Sequence, residues 1–172
     1  MTVCINNDDL YNLSWCPLGE KMSRTVHRKK REFLHRESEL LAHADQLVRD
    51  PGKQGWSMDQ FILSTDYSKG TIYKHFSSKE DLLGALYSRK FYDLYRLFKG
   101  VIESDLCSLY KQLGVHVAHS LFDDHYFPNS VRLMTPNDPA FRAKMKLERQ
   151  EYLGQLQGEF EHLMGGLIQE AV

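Results

Sequence analysis

Ser68-Lys69-Gly70-Thr71-Ile72-Tyr73-Lys74-His75-Phe76 is the stretch on which the reading of this chain turns. Serine is an N-cap residue type, because its side-chain oxygen accepts a hydrogen bond from an N–H that the first helical turn leaves free. Ile72 and Phe76 stand four residues apart and so share one face of the helix that Ser68 opens. With those two turned inward, Lys69, Gly70, Thr71, Tyr73, Lys74 and His75 face outward. That outward set is rich in groups that donate to phosphates and to base edges. Just upstream, Ser57 caps a shorter helix carrying Met58, Phe61, Ile62 and Leu63. Thr65-Asp66-Tyr67 lies between them, too short and polar for anything but a tight turn. Helix, short turn, helix is the layout of the helix-turn-helix motif, and Ser57–His75 follows it.

Working outward, helical spacing recurs and no long period-two alternation appears, so the chain reads as all-α. A first helix is expected at about Lys29–Arg49, with Phe33, Leu34, Leu40, Leu41, Ala44, Leu47 and Val48 stepping by three and four, stopped by Pro51-Gly52. Ser77 with Glu80 reads as a capping box. It opens a long helix through Leu82, Leu83, Leu86, Tyr87, Phe91, Leu94, Tyr95 and Phe98, ending near Gly100. Another helix at about Asp105–Phe122 places Leu106, Leu109, Tyr110, Leu113, Val117 and Leu121 along one stripe. Asp123–Pro139 is mostly loop, with room for a short helix near Ser130–Met134. Asp138-Pro139, an N-cap followed by a first-turn proline, starts a last helix of up to ~30 residues. Gly154, Gly158 and Gly165-Gly166 weaken it, with a kink or break expected at the last pair.

The 172 residues suit one domain or two small ones. No apolar run approaches the ~20 residues of a membrane-spanning helix, and Met1–Leu10 lacks the basic flank and apolar stretch of a signal peptide. No membrane partner is expected, and the expected address is the cytoplasm, on the nucleoid. Cys4, Cys16 and Cys107 form no C-x-x-C pair and read as free thiols of a reducing compartment; a Cys4–Cys16 bridge would need an oxidising one. His116 and His119 lack a third ligand, so no metal and no cofactor is expected. The chain has no G-x-S-x-G, P-loop, H-E-x-x-H or dinucleotide-binding glycine run, and it does not read as an enzyme. Net charge is -1, but residues 22–100 hold 15 basic against 10 acidic side chains and residues 101–172 hold 6 against 10. A basic middle joined to an acidic end suits a polyanion-binding half and a half with another job.

Ser68-Lys69-Gly70-Thr71-Ile72-Tyr73-Lys74-His75-Phe76, followed by Lys79 and Leu82-Leu83, resembles the DNA-binding domain of the TetR family of bacterial transcriptional regulators. That family's third helix reads Ser-x-Gly-x-x-Tyr-x-His-Phe with a Lys three residues on. Leu40-Leu41-x-x-Ala44-x-x-Leu47-Val48 is similar to its first helix, and Ser57 falls on its second-helix cap. The likeness spans about residues 29–90. The chain departs from the family at Phe61-Ile62, usually Ile-Ala, and at Thr65-Asp66-Tyr67, usually Ala-Gly-Val, where Asp66 is a residue type that tolerates the left-handed conformation of a turn glycine.

The resemblance implies a three-helix DNA-binding domain over residues 22–77 and a helical ligand-binding and dimerisation domain over residues 78–172, short for the family, after an N-terminal extension, residues 1–21, of open role. It implies phosphate contacts from Tyr73, Lys79, Ser57 and Thr71, base contacts from Lys69, Gly70 and Lys74, and His75 at the edge of that surface. Arg28 and Lys29, with Lys30 and Arg31, read either as an arm along the phosphates or as a solvated helix start. A small hydrophobic ligand would be lined by Phe91, Tyr95, Phe98, Tyr110, His116, Phe122 and Tyr152, which read equally as core. The implied partners are an operator duplex and a second copy. The implied function is a sequence-specific repressor released by that ligand. The alternatives are an interaction protein pairing with a related regulator and a DNA-binding organiser with no inducer. The chain reaches one long C-terminal helix where the family commonly has two, so either the dimer interface is abbreviated or the natural end lies further on.

Overall fold

The computed structural model describes residues 24–50, 55–107, 109–117 and 138–169, and among them every regular element is a helix. In chain order these are α1 (Arg24–Arg49), α2 (Met58–Leu63), α3 (Lys69–His75), α4 (Lys79–Ile102), α5 (residues 109–117), α6 (Pro139–Arg142) and α7 (Leu147–Gln169). The chain divides into two compact units, Met1–Leu40 and Leu41–Val172. The border expected between residues 77 and 78 falls inside the second unit.

In the first unit the described residues form the N-terminal part of α1. The helix begins at Arg24, not at Lys29, so the basic residues expected as an arm are helical. Glu32 lies one turn from both Arg28 and Arg36, at 3.5 and 4.0 Å, and His35 lies 3.6 Å from Glu39. Such i,i+4 pairs support a solvated helix that has little apolar face of its own.

In the second unit α4 and α7 run side by side with their N-terminal ends together, as the contacts Gly84 to Met145, Phe91 to Phe160 and Phe98 to Phe160 require. Leu82, Leu86, Leu94 and Phe98 of α4 and Leu153 and Leu156 of α7 are buried, at the three-to-four spacing of a core face. A Cβ added at Gly84 would stand 2.5 Å from Met145 Cε, so the missing side chain is what lets Met145 enter. Phe61, Ile72 and Phe76 are fully buried, as expected for the residues that hold α2 to α3.

Four local expectations are corrected. The N-cap of α4 is Ser78, not Ser77: its hydroxyl accepts from Asp81 N–H, while the Ser77 N–H and hydroxyl both donate to the Asp81 carboxylate. Asp81 takes over because it sits in the first turn, where a carboxylate meets free N–H groups and the positive end of the helix dipole. Asp66 is not left-handed, since no described non-glycine residue has positive φ. The expected last helix is two helices, broken at residues 143–146 and continuous through Gly165-Gly166. Phe141 of α6 and Met145 within the break are both buried in the core. Finally, Leu106, Leu109, Tyr110, Leu113 and Val117 are exposed, and the buried side of α5 carries Val115, with Gly114 close to Val101.

Candidate nucleic-acid interface

α2 and α3 are built by their caps. Ser57 accepts from Gln60 N–H at 3.2 Å while the Gln60 side chain accepts from Ser57 N–H at 2.8 Å, a reciprocal box that closes both free donors. Ser68 caps α3, its hydroxyl 3.3 Å from Thr71 N and 2.9 Å from Thr71 Oγ1. In the turn, Ser64 and Thr65 hydroxyls donate to the carbonyls of Phe61 and Ile62, and His43 of α1 meets Ser64 Oγ at 2.9 Å. Six- and seven-residue helices are too short to persist alone. Here Ile72 and Phe61, fully buried, fasten each of them to the unit.

The exposed side of α3 carries Lys69, Gly70, Tyr73 and Lys74, with Thr71 half-buried. Lys69 Nζ lies 3.0 Å from Asp59 of α2 and 5.9 Å from the centre of the Tyr73 ring. The hydrogen bond from Lys69 to Asp59 raises the ammonium above its ordinary pKa, so Lys69 is a fully charged donor held over the face of α3. A Cβ at Gly70 would meet nothing within 4 Å, so no neighbour in the protein requires a glycine there.

His75 is corrected: it is 1% exposed, on the inner side of α3 beside Phe76, and does not sit at the edge of the outward surface. The helical step from Ile72 explains this, since position 75 falls three residues on, along the same buried stripe. Lys79 is half-buried and already engaged. Its ammonium donates to the Trp56 carbonyl and lies 4.5 Å from the Trp56 ring centre, and burial lowers its pKa. Ser57, the cap of α2, is exposed, and Thr71, bonded to the Ser68 cap of α3, is half-buried. Arg28 and Lys29 are exposed on the first unit's part of α1.

Of the residues expected to line a ligand cavity, Phe91 and Phe98 meet at one place among the described residues, and the others are dispersed. Phe91 and Phe98 pack on Phe160, with ring centres 5.2 and 5.3 Å away. Tyr95 is half-buried near Tyr92, Tyr110 and His116 are exposed on α5, Tyr152 is 37% exposed on α7, and Phe122 and His119 lie outside the described residues. A solvent-open cleft of about 570 Å³ is lined by Pro139, Arg142, Ala143 and Gln150, none of them among the seven.

Four residues escaped the sequence reading: Trp56, Asp81, Lys146 and Arg149. Trp56 is buried ahead of α2, its ring centre 5.9 Å from that of Phe61. Asp81 is fully buried, with Lys146 N–H 3.0 Å and Arg149 Nε 3.2 Å from its Oδ1. A signal was present: Lys146 and Arg149 put cations at the start of α7, where the helix dipole favours anions.

Two short helices, each capped, with one exposed polar face and a locked inner face, define a helix-turn-helix domain. Residues 40–86 match the family described as bacterial regulatory proteins, tetR family. That stretch is thus similar to the DNA-binding domain of tetR-family regulators, which supports reading the chain as a DNA-binding transcriptional regulator. No curated protein and no solved structure matches it. Among the described residues no helix is long and apolar enough to cross a membrane.

Proposed function

We propose that the chain is a sequence-specific repressor that lays α3 in the major groove of an operator duplex. The observation that carries this is the outward face of α3: Lys69, Gly70, Tyr73 and Lys74 are exposed together on a helix whose other side is fastened by Ile72 and His75. Lys69 and Lys74 serve as base-edge donors, Gly70 allows close approach, and Tyr73 with the Ser57 and Thr71 hydroxyls anchors phosphates. Lys79 keeps further N–H donors beyond the one given to Trp56 and stays in the phosphate set. Arg28 and Lys29 add phosphate attraction, hence salt dependence without specificity. Such a protein acts in the cytoplasm, on the nucleoid.

Two copies are part of the proposal, because two α3 helices must meet half-sites ~34–36 Å apart. Its support is the exposed apolar set Leu106, Leu109, Tyr110, Leu113 and Val117, the kind of surface that marks an interface. A small hydrophobic ligand is the proposed releasing signal, supported by the aromatic group of Tyr87, Phe91, Phe98 and Phe160.

Selection of bound duplexes from a random pool, followed by binding of labelled DNA, tests the reading. The expected result is a palindromic preference and a loss of affinity for Tyr73→Ala of about tenfold, as one to two kcal/mol of phosphate contact implies. No preferred sequence, with Tyr73→Ala binding like the wild type, would overturn it. Sedimentation of the wild type and of a Leu109→Glu, Leu113→Glu variant reads the pairing: a dimer that becomes a monomer supports it.

A further inference from the structure

Lys146 and Arg149 hold the C-terminal end of α3. Lys146 Nζ donates to the carbonyls of Lys74 at 3.0 Å and His75 at 2.6 Å, and Arg149 Nη2 donates to the His75 carbonyl at 3.0 Å. The Arg149 guanidinium also lies 4.9 Å from the centre of the Phe76 ring. These carbonyls belong to the last turn of a helix, whose C=O groups have no partner within it. A seven-residue helix gives them little else to rely on. The cations are poorly placed for α7, where they stand at the positive end of the dipole, and well placed for α3, where they meet the negative end. Asp81 balances the charge. Fully buried in the first turn of α4, its carboxylate lies 3.2 Å from Arg149 Nε and accepts from Lys146 N–H and Ser77. Three helix ends thus meet at one joint: the C-terminus of α3 and the N-termini of α4 and α7.

We propose that Lys146 and Arg149 are positioning residues for α3, setting its angle and stiffness from the far end of the chain, so that any shift of α7 against α4 is felt by the DNA-facing helix. The proposal rests on the DNA-binding reading above for its effect, though not for its geometry. A hold on α3 from behind matters because base-edge contacts tolerate only small displacements, whereas phosphate attraction tolerates larger ones.

The test compares two duplexes, one recovered by the wild type from a random pool and one of the same composition with its sequence scrambled. Lys146→Met removes the donor and fills similar space. It is expected to lower affinity for the recovered duplex about tenfold relative to the scrambled one, and Lys146→Arg is expected to restore the ratio. Amide hydrogen exchange of Phe76, whose N–H closes the last turn of α3 on Ile72, is expected to quicken in Lys146→Met and recover in Lys146→Arg. An unchanged affinity ratio with unchanged Phe76 exchange overturns the proposal. So does an equal loss on both duplexes that tracks the melting temperature, which would make Lys146 a stabilising residue only. If the wild type recovers no duplex at all, the DNA-binding reading fails, and the exchange rates alone decide whether Lys146 holds α3.

Discussion

Replacing Gly70 with alanine separates what the protein needs from what its ligand needs. Gly70 is the second residue of α3, has no positive φ, and leaves open space where a Cβ would be. Alanine is therefore accommodated without strain. It also narrows the unfolded ensemble and raises helix propensity, effects worth roughly 0.5–1 kcal/mol in a helix interior and nearer the lower figure at this end position. For a chain of this size that raises the melting temperature by about 1–2 °C. In the complex the same methyl group stands between the α3 backbone and the duplex. If α3 approaches as proposed, the helix is pushed off its base contacts, and a loss comparable to one mismatched base pair, about 1–3 kcal/mol, is expected. That is about tenfold or more in dissociation constant. Gly70→Ala is thus expected to be slightly more stable and clearly weaker in binding. The assays are urea unfolding followed by circular dichroism, and fluorescence anisotropy with the selected duplex at fixed salt. A stabilised variant that binds as tightly as the wild type would refute close approach at Gly70. A destabilised one would refute the open geometry of α3.

Asp59→Ala is expected to bind DNA a few-fold more tightly with little change in stability, because it removes an acidic neighbour and frees the exposed Lys69 ammonium; equal affinity at low salt would show that Lys69 does not face the duplex. Gly84→Ala is expected to cost about 1 kcal/mol net, the overpacking against Met145 exceeding the helix-propensity gain. In a Met145→Ala background the same change should become stabilising, a sign reversal that a double-mutant cycle reads directly. Burial pulls the Asp45 carboxyl up, but hydrogen bonds from Lys90 and Arg49 outweigh it and hold the group below its ordinary pKa; the Lys144 hydrogen bond lowers Glu80 in the same sense. Both contribute stability above the unfolded carboxylate range, near pH 4, and lose it as pH falls through their lower folded values. Unfolding free energy is therefore expected to decline below about pH 4, less steeply in Asp45→Asn; an identical slope would remove Asp45 from the cause.

What could be read from the sequence is what short-range chemistry controls. Ser57 and Ser68 announce α2 and α3 because a cap bonds an N–H within three residues of itself. Ile72 and Phe76 announce the inner face because helical period alone puts them there. The polar face of α3 follows by subtraction, with one error: His75 looked like a donor by residue type, and only the direction of the buried stripe shows that it points inward. The stripe on α5 failed for a related reason. Leu109 and Leu113 share a face by period, but period cannot say whether that face meets this chain, and both are exposed among the described residues.

Tertiary structure alone decided the rest. Lys79 was read as a phosphate contact, and what the sequence did not show is that its ammonium also meets Trp56, a residue separated from it by 23 positions. The hold of Lys146 and Arg149 on the end of α3 spans more than 70 positions, and that of Asp81 on Lys146 spans 65. No local propensity encodes such meetings, because each depends on α4 and α7 lying side by side with their N-termini together. Sequence by itself determined that α3 exists, where it begins and most of the residues on its outward face, since these depend on neighbours along the chain. Packing of distant helices determined what grips α3 from behind, since carbonyls at a helix end take whatever donors the fold brings to them.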